Sequence, residues 1–241
     1  GGVNYFNPEY EIYTRYKVGD TEKEGLSSPI VGRMTEDKDG NLWICTEGGG
    51  VNVYNRKNNT YRWYRHEEGR NSISHNNVKA IYYDRTEEIM WIGTHLGGLN
   101  KLDLHTNRFT VYRMKAGDPA TLPSDIVRDI VPYGDKLIIA TQNGVCLFNP
   151  ATGTCEHLFK DTKEGRNIGM VASLYIDKDE TLWVSATGEG VYSYRFDTGK
   201  LTHYAHNPSI PNTLSNNNVN NIMQDSNGNL WFSTSGSGLD R

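Results

Sequence analysis

The chain of 241 residues is long enough to bury a substantial core, and its net charge of −4, from 25 basic and 29 acidic residues, gives no broad cationic footprint for nucleic acid. No run approaches ~18 apolar residues, so no segment is expected to span a membrane. With 15 tyrosines, 25 glycines and 11% aromatic residues, the composition fits a β-rich, turn-rich protein rather than a disordered one.

The chain opens in mid-motif at Gly1-Gly2-Val3-Asn4, a phrase that returns at Gly49-Gly50-Val51-Asn52 and Gly97-Gly98-Leu99-Asn100. No signal peptide precedes it, and a start inside a repeat predicts a segment of a longer protein. Asp37-Lys38-Asp39-Gly40 lacks the third ligand position and the terminal glutamate of a calcium loop, so it is read as a hairpin turn. The strand after it, Asn41-Leu42-Trp43-Ile44-Cys45-Thr46, is the first copy of a tryptophan phrase.

The next unit shows the pattern in full. Val78 to Asp84 is rich in β-formers and reads as a first strand; Arg85 to Glu88 turns the chain, and Ile89 to Thr94 carries Trp91 on a second strand. Leu96-Gly97-Gly98 is a tight turn into a third strand, Leu99 to Leu104, and His105-Thr106-Asn107 leads into a fourth, Arg108 to Arg113. The third copy, Lys136 to Thr141, has Ile138 in place of tryptophan and is preceded by Val131-Pro132-Tyr133-Gly134. Proline cannot donate to a ladder, so an irregular strand is expected there. The fourth copy, at Trp183, is led in by Gly165-Arg166-Asn167-Ile168-Gly169-Met170, and the fifth is Asn229-Leu230-Trp231-Phe232-Ser233-Thr234.

From Trp43 through Trp91, Ile138, Trp183 and Trp231, the steps are 48, 47, 45 and 48 residues. Four short antiparallel strands per period of that size predict β-propeller blades in an all-β fold. The whole chain, 1–241, is read as one propeller segment with repeat units of approximately 1–48, 49–96, 97–142, 143–188 and 189–236. Trp43, Trp91, Trp183 and Trp231 are read as structural, together with an F-x-x-Y pattern on the fourth strand (Tyr13 and Tyr16, Tyr61 and Tyr64, Phe109 and Tyr112, Leu201 and Tyr204), all expected between blades. The chain starts and ends at the same phase of the repeat. Two closures stay open: a five-bladed ring, or five blades cut from a larger one.

Cys45, Cys146 and Cys155 show neither a disulfide framework nor zinc-ligand spacing. Cys45 falls in the slot of Gly93 and Ser185, and Cys155 in that of Tyr61 and Phe109; whether Cys146 and Cys155 pair across their hairpin is left open. No nucleophile elbow, P-loop or metal-binding histidine pair is present, and His203 and His206 read as surface residues. No metal, no cofactor and no enzymatic activity are expected.

Overlaid, the copies give S-x-N-x-V-x-x-I-x-x-D-x-x-G-N-L-W-I-G-T-x-x-G-G-L-N-x-Y, as in Ser74-His75-Asn76-Asn77-Val78 with Ile81 and Asp84, and in Ser215-Asn216-Asn217-Asn218-Val219 with Ile222, Asp225, Gly228, Asn229, Leu230 and Trp231. This resembles the two-component regulator propeller repeat, in particular the extracytoplasmic sensor region of hybrid two-component systems of Bacteroides-type bacteria. The resemblance implies a piece of a seven-bladed propeller in a periplasmic sensor, homodimeric in the parent protein. It also implies a membrane helix and a histidine kinase in other domains of that parent, with no membrane contact by this segment.

Candidate ligand residues lie where polar lead-in segments meet each first strand: His75, Asn76 and Asn217 in the lead-ins, and Arg33, Lys79, Arg128 and Asn220 just inside. Cations there suit an anionic oligosaccharide such as a uronic-acid or sulfated one, and amides suit neutral sugar hydroxyls. The competing reading is that the serines and asparagines cap turns and the basic residues meet solvent. A protein-interaction scaffold with no small-molecule site is the alternative function.

Overall fold

The computed structural model describes residues 1–159 and 168–241, so the expected lead-in Gly165-Arg166-Asn167 lies outside the described residues. All regular structure among those residues is β-strand. The chain divides into two compact units, Gly1–Arg113 with Asp125–Val127, and Met114–Ser124 with Arg128–Arg241.

The first unit holds the hairpin β1 (Val3–Asn7) and β2 (Ile12–Tyr16), followed by two four-stranded antiparallel blades. The blades are β3 (Val31–Glu36), β4 (Leu42–Thr46), β5 (Val51–Asn55), β6 (Thr60–Tyr64), and β7 (Val78–Asp84), β8 (Ile89–Thr94), β9 (Leu99–Asp103), β10 (Arg108–Tyr112). The second unit holds two more, β11 (Val127–Tyr133), β12 (Lys136–Thr141), β13 (Gly144–Asn149), β14 (Thr154–Leu158), and β15 (Val171–Ile176), β16 (Thr181–Ala186), β17 (Gly190–Arg195), β18 (Lys200–Tyr204). A three-stranded sheet, β19 (Val219–Gln224), β20 (Leu230–Thr234) and β21 (Gly238–Asp240), ends it. Strand order follows the sequence in every sheet, because each connection is short enough only for antiparallel neighbours.

The tryptophan phrase, with Ile138 in its third copy, occupies the second strand of the five sheets that follow the β1–β2 hairpin, as the period predicts. All six residues of β8 are buried, so both its faces are covered. Trp43, Ile81, Tyr83, Met90, Ile92, Leu102 and Phe109 form one apolar cluster spanning the two blades of the first unit. Ile138, Leu174, Leu182, Val184 and Tyr192 form its counterpart in the second unit, where Ile138 is fully buried in the tryptophan slot. Trp43 and Trp91 are buried, whereas Trp183 and Trp231 are half-buried; Trp183 packs edge-on against Phe232 at 5.9 Å.

The repeat's polar letters are clips that hold these strands. Asp37 Oδ2 accepts from the Trp43 indole at 2.8 Å while Oδ1 accepts from the Asp39 and Asn41 amides. The same arrangement joins Asp177 to Trp183 and Asp225 to Trp231. The turn at Asp37 is thus the hairpin expected. Burial raises the Asp37 carboxyl, and the bonds from Trp43, Asn41 and Asp39 outweigh it, holding the group below its ordinary value. Thr46, Thr94 and Thr141 donate Oγ1 bonds across the next turn to Gly50, Gly98 and Gly144. Gly98, at φ +76°, leaves only 2.2 Å between an added Cβ and the Tyr112 carbonyl oxygen, so no side chain fits.

β11 runs through Pro132 to Tyr133 and is an edge strand of its sheet, where a missing N–H is tolerated. One expectation needs correction. The outer aromatics are not all core: the rings of Phe6 and Tyr13 meet at a tilt, 4.9 Å apart, but are 45% and 69% exposed, in a sheet of only two strands.

Candidate functional site

A fault in the pairing recurs on the first strand of the sheets. The register slips between Val31 and Met34, Val78 and Ala80, Val171 and Ser173, and Val219 and Asn221. The residues stepped over are Gly32 with Arg33, then Lys79, Ala172 and Asn220. A bulge leaves its extra residue unpaired and re-aims that side chain, and bulges gather beside functional sites. Three of the residues expected to meet a ligand therefore share a backbone device that the sequence did not reveal. Arg128 follows Val127 in the corresponding place on β11.

In the first unit Arg33 is exposed, and Lys79 Nζ donates to the Glu47 carboxylate, with the two side chains 31% and 42% exposed. An ion pair this wet contributes little to stability. His75 Nδ1 accepts from the Asn77 amide at 3.0 Å, and its ring lies 6.5 Å from that of His95. Asn76 is committed to the backbone: Oδ1 accepts from the His66 amide at 2.7 Å and its carbonyl from the Gly50 amide at 2.8 Å. Asn77, which the sequence reading passed over, keeps a buried Oδ1 with no hydrogen-bond partner among the described residues.

In the second unit Arg128 directs Nε and Nη2 onto Gln142 Oε1 at 3.2 and 2.8 Å, and burial lowers its pKa. Gln142 was also missed; nothing in the repeat marks it. Asn217 repeats the duty of Asn76, accepting from the His206 amide at 2.6 Å and, through its carbonyl, from Gly190 at 2.9 Å. Asn220 is exposed. His203 and His206 lie at the surface with ring nitrogens against the Glu189 and Leu214 carbonyls.

The lead-in serines serve structure. Ser27 and Asn52 exchange two bonds, of 2.7 and 2.6 Å, and Ser74 and Asn100 do the same at 2.9 and 2.8 Å. Ser215 uses Asp240 in that role. The polar lead-ins thus divide into clips at Ser, Asn76 and Asn217, and side chains at the bulge that the clips do not use.

A cavity of about 570 Å³ lies in the second unit between Trp183, Tyr204, Leu214, Leu230 and Phe232, and no expected ligand residue lines it. A second, of about 320 Å³, is framed by the stacked rings of Tyr133 and Phe196 with Asp179, Glu180, Arg195 and Asp197. Among the described residues no cluster of three or more His, Cys, Asp or Glu side chains is arranged to hold a metal ion.

Residues 25–48 and 213–236 match the family model described as two component regulator propeller. No curated protein matches the sequence. Among solved structures, the chain is similar to the extracellular domain attributed to the one component system BT4673 of Bacteroides thetaiotaomicron, with 20% identity, a TM-score of 0.77, and 99% of this chain against 29% of that one covered. It is also similar to the extracellular domain attributed to the hybrid two component system BT3049 of that organism, at 20% identity and a TM-score of 0.55, over 93% of this chain and 41% of the other. The chain therefore spans well under half the length of either. Virginiamycin B lyase of Staphylococcus aureus shares the fold at 14% identity, with a TM-score of 0.67, over 98% of this chain and 75% of the lyase. At these identities the likenesses show the propeller architecture alone, and the family likeness is carried by residues 25–48 and 213–236, two segments similar to the two component regulator propeller repeat.

Proposed function

We propose that this chain is a segment of the extracytoplasmic sensor region of a hybrid two-component system, non-catalytic, cut from a larger propeller, and responsive to an oligosaccharide derived from a glycan. The observation that carries the reading is the recurrent bulge that turns Arg33, Lys79 and Asn220 out of their ladders in a chain with two component regulator propeller repeats. A bulge kept at the same place in four sheets costs pairing each time, and redirecting a side chain offsets that cost. Guanidinium and ammonium groups suit a uronic-acid or sulfated sugar, while the Asn220 amide suits a hydroxyl. The periplasm is the compartment this role requires, and dimerisation of the parent protein supplies the route by which ligand geometry reaches a kinase in a separate domain.

A second reading is favoured by the partners of the same residues. Lys79 is engaged by Glu47, Arg128 by Gln142, and Asn76 and Asn217 by backbone amides. On that reading the segment is a protein-interaction scaffold. Isothermal calorimetry of this chain and of the longer parent ectodomain against neutral, uronic-acid and sulfated oligosaccharides separates the two. Binding by this chain supports the sensor reading with its site here. Binding by the parent alone moves the site elsewhere, and binding by neither removes glycan sensing for the sugars tested. Turnover of any of them would show an enzyme on the fold that virginiamycin B lyase shares.

A further inference from the structure

Cys146 on β13 and Cys155 on β14 both stand where other blades carry something else. Cys146 fills the slot of Asn52 and Asn100, the amides that clip the lead-in serines. Cys155 fills the slot of Tyr61, Phe109 and Leu201, which lie directly opposite Tyr54, Leu102 and Tyr194 and close the outermost strand onto its neighbour. In this blade Phe148 is opposite Cys155 and Cys146 is opposite His157, so the two cysteines form a diagonal pair on one face of the hairpin. Their Sγ atoms lie 3.1 Å apart, within van der Waals contact, and both side chains are buried free thiols. Two separate departures from the repeat meet at a single point.

We propose that Cys146 and Cys155 are an oxidation site that closes to a disulfide in an oxidising compartment, tying the outermost strand of this blade to β13 in place of the aromatic clamp. Two thiols lose two protons and two electrons as one S–S bond forms, and the disulfide of an exchange partner, either a dithiol oxidoreductase or oxidised glutathione, takes up both and becomes two thiols. Burial, and then the neighbouring thiol, push the Cys146 thiol well above its ordinary value, so thiolate is scarce in the closed hairpin and exchange proceeds when β14 lifts away. Cys45 is the internal control: it is fully buried on β4, and burial pushes it to about 12. Formation in the cell rests on the extracytoplasmic reading above; the site itself does not.

The full chain, purified reduced, is equilibrated with oxidised and reduced glutathione, denatured in N-ethylmaleimide and weighed. The expected result is one alkylated thiol, mapped to Cys45, and three after dithiothreitol, matching the three free cysteines. Three alkylated thiols after oxidation, glutathione retained on either cysteine, or a bridge through Cys45 would overturn the site. Oxidised wild-type protein is expected to melt above its reduced form, with no such gap in Cys155→Ser or, should that variant fold poorly, Cys146→Ala. Equal melting of the two wild-type forms would overturn the tying role. Parent protein that pairs in glutathione but is isolated from cells with both thiols free would contradict the extracytoplasmic location and leave the site standing.

Discussion

The blades β7–β10 and β11–β14 were built from the same repeat, and they differ in which of its clips survive. The first keeps Trp91, Asn100 with Ser74, and the facing pair Leu102 and Phe109. The second has Ile138 for tryptophan, Cys146 for the asparagine and Cys155 for the aromatic, yet retains the Thr141 bond to Gly144. Its losses come in sets. The turn before Ile138 is Tyr133-Gly134-Asp135, without the acid six residues upstream that receives the indole in Asp37 and Trp43, Asp177 and Trp183, and Asp225 and Trp231. A carboxylate placed to receive an indole has no task once the indole is gone. The rule does not run in reverse: Trp91 has Arg85 six residues upstream, and the nearby Asp84 carboxylate accepts from the Thr86 and Glu87 amides.

The largest expected effect is at Trp91, where truncation to alanine should cost about 3–5 kcal/mol in urea denaturation because the indole is almost wholly buried. Restoring the repeat letter by Ile138→Trp should instead destabilise by roughly 1–3 kcal/mol, since that slot has closed around a smaller side chain. A gain in stability there would show that the two blades are packed alike. Next comes the glycine frame. Gly98→Ala places Cβ against the Tyr112 carbonyl at positive φ, and a loss on the order of 2 kcal/mol is expected. Gly144→Ala keeps the φ strain, but its nearest contact is the Ile168 oxygen at 3.3 Å, so the loss should be smaller. Equal losses would break the distinction.

Asn100→Ala removes the partner of Ser74 and should cost roughly 1–3 kcal/mol, read from the same unfolding curves. The smallest effect is electrostatic. Asp225 is held at about 2, chiefly by the Asn229 side chain and then by the Trp231 indole. Its folded value is below the unfolded one, so its contribution is complete above about pH 4 and disappears only as pH falls through about 2. The Trp231 indole N–H resonance should titrate in that acidic window, and a midpoint near the ordinary carboxylate value would show that the clip is not formed. The blade with Ile138 has no counterpart to titrate.

The architecture was legible because a period near 47 residues and glycines at fixed phase leave few alternatives to four-stranded blades. Pro132 is accommodated within β11 because that strand is an edge, which local sequence does not state. The candidate site was legible only in part. Position along the chain picked out Arg33, Lys79, Arg128 and Asn220, but the bulges behind three of them arise from pairing with the next strand and leave no mark in composition. Asn76 and Asn217 looked like ligand residues because a polar lead-in reads the same whether its amides face a sugar or a backbone; both cap backbone amides here. Gln142, which holds Arg128, lies fourteen residues away and could be found only in three dimensions.

The central claim is that the bulge position serves a ligand while the repeat letters serve the fold. Its direct measurement is calorimetric titration of the chain and of Lys79→Ala and Asn220→Ala with the oligosaccharide that binds most tightly. The account predicts that both variants keep the wild-type melting temperature and that affinity falls about tenfold in each, about 1.4 kcal/mol. Affinity unchanged in both variants, with melting equally unchanged, would contradict it.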